Sequence, residues 1–286
     1  MRLRDMALAA LTTVIWGFAF VTYKFGLESF SAAQLTAMRF LVACILVFFV
    51  PRPLAWPTIV LIGLVLFAGQ FLLLMMAYAR DMPAGLGSVT QQTQAVFTVA
   101  LAAIFLREIP TWREGAGMAV AFFGLALIGL TVGADLKPAA LGLAVAAATC
   151  WAVGNILIKR AGAVPAFSLM AWSSLVVPLP MLALSYAVDP QPSLVQATLH
   201  ASWISLATAL YLGLPSTLFA YGAWSFLLQR YPAPMVAPFA LLSPATGIIA
   251  SSLLLGETVS PLRAAGMALI LAGLAVIVWP VKSRRL

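Results

Sequence analysis

About ten apolar runs, near 6–24, 35–50, 58–78, 86–105, 115–132, 139–158, 168–187, 203–226, 234–255 and 263–279, follow one another with short polar gaps. A helix that crosses the hydrocarbon core of a bilayer needs roughly 20 mostly apolar residues. Helix is the form such a run must take, because lipid offers nothing to pair with a free backbone N–H or C=O. Ten such runs in 286 residues leave little for a soluble domain. Composition agrees, since 63% of residues are hydrophobic and 8% are charged, far outside the range of an ordinary soluble domain. The pattern predicts an all-α polytopic membrane protein with ten transmembrane helices. The opening MRLRDMALAALTTVIWGFAF has the basic start and apolar run of a secretory signal, but a similar segment recurs in mid-chain, so it is read as helix 1.

A net charge of +8 raises the question of a nucleic-acid partner, and topology answers it. Lys and Arg accumulate on the cytoplasmic side of membrane proteins. With ten spans and a cytoplasmic N-terminus, the inside receives Arg2, Arg4, Arg52, Arg107, Arg113, Lys159, Arg160, Arg230, Lys282, Arg284 and Arg285, while the outside receives Lys24, Arg80, Lys137 and Arg263. Both termini are therefore expected in the cytoplasm, and no nucleic acid is needed to explain the basicity. The two cysteines, Cys44 and Cys150, fall inside predicted helices and read as small buried hydrophobes.

The chain repeats itself. At a shift of 149, Glu108 falls on Glu257, Ala116-Gly117-Met118-Ala119 on Ala265-Gly266-Met267-Ala268, and Gly124-Leu125-Ala126 on Gly273-Leu274-Ala275. A shift of 135 lays TVIWGFAFVTYK on ATCWAVGNILIK, with Trp16 on Trp151 and Lys24 on Lys159. The 14-residue difference is absorbed mainly by the Pro-containing connection VDPQPSLVQATLHAS. Two five-helix units follow, 1–134 and 135–286, and an odd number of spans inverts the second relative to the first. Inverted repeats are a common plan of secondary transporters, with a substrate site near the midplane where the copies meet.

A unit that begins with Trp-Gly and ends in Leu-x-Glu followed by a Gly-rich helix resembles the EamA-type transporters of the drug/metabolite transporter superfamily, over the whole chain. Within that family, WGFAFVTYKFGL, MPAGLGSVTQQTQAVFT, CWAVGN and RYPAPMVAPFALLSP look most like bacterial exporters of cysteine, O-acetylserine and other amino acids. The resemblance implies a ten-helix bundle around a central cavity in the bacterial inner membrane, exporting small metabolites by alternating access. It implies a small-molecule cargo and no cofactor, and it is compatible with a monomer.

Polar residues inside apolar runs locate the candidate site. On a wheel of 100° per residue, Gly87, Gln91, Gln94 and Thr98 fall within about 60° of one another, flanked by Ser88 and Thr90. A stripe of amides cannot face lipid cheaply, so it faces protein or a cavity. Gln92 lies about 100° from Gln91 and is read as pointing at an adjacent helix. The repeat partner of the stripe carries Ala240 and Ser243, and Pro244 is expected to leave the Ala240 carbonyl without its helical donor, free for an α-ammonium group or satisfied by Ser243 or water. Aromatic and amide groups complete the pocket: Trp16, Trp151 with Asn155 one turn on, Tyr221 and Trp224 on a shared face, and Tyr78 near the end of helix 3. Trp56, Trp112 and Trp279 read as interfacial anchors.

All eight acids, Asp5, Glu28, Asp81, Glu108, Glu114, Asp135, Asp189 and Glu257, sit in loops or at helix ends, so no mid-membrane proton carrier is expected. Small multidrug antiporters of the same superfamily use a glutamate within helix 1, which is absent here; sugar-phosphate exchangers need several basic groups where this chain has Arg39 alone inside a helix. Arg39 itself is expected to snorkel or to bond carbonyls, with contact to a substrate carboxylate as the alternative. An intramembrane enzyme would need a nucleophile with a base, or a metal with its ligands; the sole histidine, His200, is in a loop, and neither is expected. A multidrug or other metabolite exporter and a passive channel are the competing functions.

Overall fold

The apolar runs fold as helices whose ends are set locally. The computed structural model describes residues 1–78, 80, 90–130, 138–188, 193–255 and 260–278; Gly87, Ser88 and Glu257, and the side chain of Tyr78, lie outside the described residues. In chain order the main helices are α1 (Leu3–Gly26), α2 (Ala32–Cys44), α3 (Trp56–Ala77), α4 (Thr93–Leu106), α5 (Trp112–Gly129), α6 (Pro138–Arg160), α7 (Ala166–Val188), α8 (Trp203–Arg230), α9 (Leu242–Leu255) and α10 (Pro261–Val278). No strand occurs among the described residues. Five segments, Leu3–Tyr23 and helices α3, α6, α7 and α8, are long and apolar enough to cross a bilayer, and Ala32–Phe48, Thr93–Leu106 and Ala264–Ile277 are shorter apolar helices.

Ser31 starts α2 with a capping box, its hydroxyl accepting from the Gln34 N–H while the Gln34 amide accepts from Ser31 N–H. Arg107 ends α4 in the left-handed conformation at φ 57°, a position a non-glycine residue adopts rarely. Pro178 has no N–H and interrupts α7 at 175–177. Inside α3 and α8 the backbone loosens into π-helical stretches at Gly63–Gly69 and Leu212–Phe219. Both lie deep in the bundle, and such bulges displace side chains that a regular helix would stack in line.

Packing follows the repeat. The contact of α1 with α9 has its counterpart in α6 with α4, and the contact of α3 with α6 in α8 with α1, while α2 lies along α7 and α5 along α10. The α5–α10 pair meets glycine to glycine: a Cβ on Gly273 would lie 2.4 Å from the Gly117 carbonyl oxygen, and one on Gly124 2.5 Å from that of Gly266. Gly117 and Gly266 are repeat mates, as are Gly124 and Gly273, so each copy offers the other the same surface. Because the start of α5 meets the end of α10, these related helices run antiparallel. A second mirrored contact places Gly63 of α3 against Ser173 and Val176 of α7, and Gly213 of α8 against Arg39 and Val42 of α2. Small residues at such crossings let backbones approach, which is how membrane helices gain dispersion energy without a hydrophobic driving force between them.

Candidate functional site

Helices α1, α4, α6 and α8 converge on a buried polar and aromatic cluster. Asn155, one turn beyond Trp151 on α6, is fully buried and joins two other helices. Its Oδ1 accepts from Trp224 Nε1 of α8 at 3.1 Å, and its Nδ2 donates to Thr98 Oγ1 of α4 at 3.0 Å. The Thr98 hydroxyl donates in turn to Gln94 Oε1 at 3.4 Å. A line of donors and acceptors thus runs through four side chains, and it stops at the Gln94 Nε2, which is buried without a protein partner. Gln91 has neither amide atom paired, and Gln92 Oε1, Trp151 Nε1 and Gln70 Oε1 are likewise buried and unpartnered. Buried polar atoms are almost always hydrogen-bonded. These unpaired atoms gather where α1, α4, α6 and α8 meet, and they are the groups able to take a hydrogen bond from water or a bound molecule.

The aromatic side of the cluster is built around Trp16 of α1. Its ring stands edge-on to Trp151 at 5.3 Å and leans on Tyr221 at 4.8 Å and Trp224 at 5.2 Å. Edge-on and tilted arrangements suit the ring quadrupoles and leave faces for a cation or a planar group. Trp16 Nε1 donates to the Ser216 carbonyl at 3.0 Å, within the π-helical stretch of α8. Phe67 of α3, also in a π-helical stretch, closes on Tyr221 at 5.0 Å. Gln94, Thr98, Asn155, Trp224, Trp16, Trp151 and Tyr221 therefore form one continuous set of contacts.

Ser243 is close by, since a Cβ on Gly17, next to Trp16, would lie 2.6 Å from the Ser243 carbonyl oxygen. The Ala240 carbonyl is not left free as expected. A 3-10 stretch at Ala237–Leu241 precedes α9 and turns the Leu242 N–H onto it, so Pro244 releases no open acceptor there. Ser88 and the Tyr78 side chain lie outside the described residues.

Arg39 departs from expectation more strongly. It is 3% exposed and does not snorkel. Its Nε donates to Thr217 Oγ1, Nη1 to Tyr23 Oη at 2.7 Å and Nη2 to Ser216 Oγ at 3.3 Å, hydroxyls rather than carbonyls. The sequence does not single out Tyr23, Ser216, Thr217, Phe67 and Gln70, and it offers Arg39 only through the alternative of a substrate carboxylate. The alignment of Gly63-Leu64 with Gly213-Leu214 at a shift of 150 could have drawn attention to their two segments.

At the end that carries the N-terminus, polar contacts close the bundle. Lys159 Nζ pairs with Glu108 at 2.9 Å and donates to the carbonyls of Leu228 at 2.8 Å and Tyr231 at 2.7 Å. Glu108, turned inward just after the left-handed Arg107, also accepts from the Ala233 N–H at 2.8 Å. Tyr231 donates to Asp5, which Arg230 approaches at 3.8 Å. Helices α1, α4, α6 and α8 and the segment leading into α9 are tied together there.

A helical bundle with membrane-length apolar segments and a polar, aromatic centre is the build of a membrane carrier of small molecules. The chain belongs to the EamA-like transporter family of the drug/metabolite transporter superfamily: the family's model matches it twice, at residues 4–130 and 138–279. It is 38% identical over 290 residues, 99% of this chain and 97% of the relative, to a protein of Salmonella typhimurium described as a probable amino-acid metabolite efflux pump. A protein of Escherichia coli K12 with the same description is 36% identical over equal shares. A probable terminal-alkyne amino-acid exporter of Streptantibioticus cattleyicolor is 28% identical over 93% of this chain and 91% of its own length. One crystal structure superposes with a TM-score of 0.84 at 17% identity, covering 97% of this chain and 99% of its own, which establishes a shared fold.

Proposed function

We propose that the protein exports amino acids and closely related small metabolites from the cytoplasm across the bacterial inner membrane, by alternating access and down their gradient, and that it is not an enzyme. In this reading the chain makes ten spans as two inverted five-helix repeats, 1–134 and 135–286, with both termini in the cytoplasm. The antiparallel, self-complementary glycine contact of α5 with α10 supports the inversion. The cargo sits among Gln91, Gln94, Thr98, Asn155, Trp16, Trp151, Tyr221 and Trp224, with Ser243 beside them.

The observation that carries the reading is the group of buried polar atoms without protein partners beside a box of tilted aromatic rings. Amide and indole groups offer both donors and acceptors, and the ring faces attract an ammonium. This suits a zwitterion better than an apolar drug. The Lys159–Glu108 and Asp5–Tyr231 contacts then act as the cytoplasmic gate, which must part for cargo to enter. Relatives described as probable amino-acid metabolite efflux pumps, at 38% and 36% identity, and as a probable terminal-alkyne amino-acid exporter, at 28%, support the same cargo class.

Proteoliposomes preloaded with labelled amino acid test the mechanism. Efflux should saturate with internal concentration and continue when the pH difference is collapsed. Conductance without saturation would identify a channel, and strict dependence on a proton gradient would contradict gradient-driven export.

A further inference from the structure

Arg39 is a cation at the centre of an apolar bundle, and among the described residues no carboxylate pairs with it. The three paired acids or acid clusters lie elsewhere: Asp5 and Glu108 hold the closed end, and Glu114 bonds Thr111 at the start of α5. What surrounds the guanidinium is neutral. Tyr23, Ser216 and Thr217 supply hydroxyl oxygens, and the rings of Phe71 at 4.8 Å, Phe40 at 5.5 Å and Tyr221 at 6.0 Å lie against it. Hydroxyls and ring faces hold the side chain in place, but they do not neutralise its charge.

A guanidinium has five N–H donors. Three are used, so one on each terminal nitrogen has no acceptor among the described residues. Two further donors on a planar, permanently charged group can serve the oxygens of a carboxylate. Moreover, Arg39 is joined to the candidate site through one ring: Tyr221 lies 6.0 Å from the guanidinium carbon and 4.8 Å from the Trp16 ring. The line of groups therefore continues from Gln94, Thr98 and Asn155 through Trp224, Trp16 and Tyr221 to Arg39. Ser173, which holds the mirrored position against Gly63, is uncharged, so of these two related positions only the one in α2 carries a charge.

We infer that Arg39 is the anion-binding point of the cavity and receives the carboxylate of the cargo. The inference rests on the amino-acid reading above and narrows it: cargo must carry a carboxylate, and the ammonium or side chain then points toward the aromatic and amide groups. Buried intramembrane charges without a protein counter-ion are the ones for which a ligand is the natural partner. Cationic cargo without a carboxylate is repelled.

Competition in proteoliposomes tests this. Counterflow of a labelled amino acid is inhibited with the same unlabelled amino acid or with its primary amide, which keeps the ammonium and loses the carboxylate. In the wild type the acid should compete about 10-fold better or more, the value of a charged hydrogen-bonding pair. Arg39→Gln should bring that ratio close to one, and Arg39→Lys should retain part of it. The ratio is taken within one preparation, so a lower yield of folded variant does not distort it. If Arg39→Gln gives no folded protein, the wild-type ratio and Arg39→Lys decide.

Equal competition by acid and amide in the wild type, or an undiminished preference in Arg39→Gln, would overturn the assignment while leaving amino-acid export intact. Failure of the wild type to carry either form would bring down the amino-acid reading itself, and the assignment with it. Replacing chloride with an organic sulfonate distinguishes the two sources of an anion: loss of acid and amide competition alike would mean that Arg39 holds an inorganic ion, contrary to the assignment.

Discussion

Replacing Gln94 by Leu separates a cargo-binding amide from a structural one. Gln94 is fully buried, yet among the described residues its amide makes one hydrogen bond, accepted from Thr98 at 3.4 Å, longer than a good hydroxyl hydrogen bond. Side-chain hydrogen bonds inside membranes average about 0.6 kcal/mol, so its loss costs about that or less. Against this, the substitution removes an amide nitrogen that has no protein partner and inserts an apolar group of similar volume. The sum is near zero, and the melting temperature in detergent should move by no more than about 2 °C. Cargo loses a hydrogen-bonding partner, worth up to about a factor of ten in apparent affinity. Asn155→Leu is the contrast, because it strands both Trp224 Nε1 and Thr98 and should lower stability by roughly 1–3 kcal/mol as well as transport. Thr93→Leu is the control: its hydroxyl is satisfied by the Thr90 carbonyl, just before α4 begins, at 2.7 Å. Melting temperature and initial counterflow are measured on all three. Normal counterflow in a normally folded Gln94→Leu protein would remove that glutamine from the site.

Three further outcomes are expected. Lys159→Met leaves Glu108 and two carbonyls short of a donor and should lower stability by about 1–3 kcal/mol, with part of the loss recovered in Lys159→Met/Glu108→Met, read by thermal unfolding of the purified variants. Gly273→Val would push a side chain onto the Gly117 carbonyl and should cost more than about 2 kcal/mol by the same assay, whereas Gly142→Ala, with open space at its Cβ, should be silent. A reporter fused after Leu286 should be active only in its cytoplasmic form, and periplasmic activity would reverse the assigned topology.

The helices were legible because bilayer thickness sets their length and lipid forbids any alternative backbone. The repeat was legible where packing demands small residues, as at Gly117, Gly124, Gly266 and Gly273, whose backbones touch. Seven of the expected residues come together in the structure because a polar or aromatic side chain inside an apolar run turns to protein rather than lipid, and Asn155 joins three helices in this way. The π-helical stretches of α3 and α8 could not be read. Between GLVLFAGQF and GLPSTLFAY only Gly-Leu is identical, and the bulge depends on tertiary contacts rather than local propensity. The same bulge presents Ser216 and Thr217 to Arg39, so an arginine expected to reach for the surface is held inside. The Ala240 carbonyl shows the opposite error, a local rule about proline overridden by a 3-10 stretch, Ala237–Leu241, that ends before Pro244 is reached.

Counterflow of a panel of radiolabelled amino acids in proteoliposomes containing the purified protein is the most direct test of the account. Saturable, pH-gradient-independent accumulation of at least one amino acid, with apparent affinity weakened up to about 10-fold in Gln94→Leu and no loss of folded protein, is the predicted result. No counterflow above protein-free liposomes for any member of the panel would contradict it.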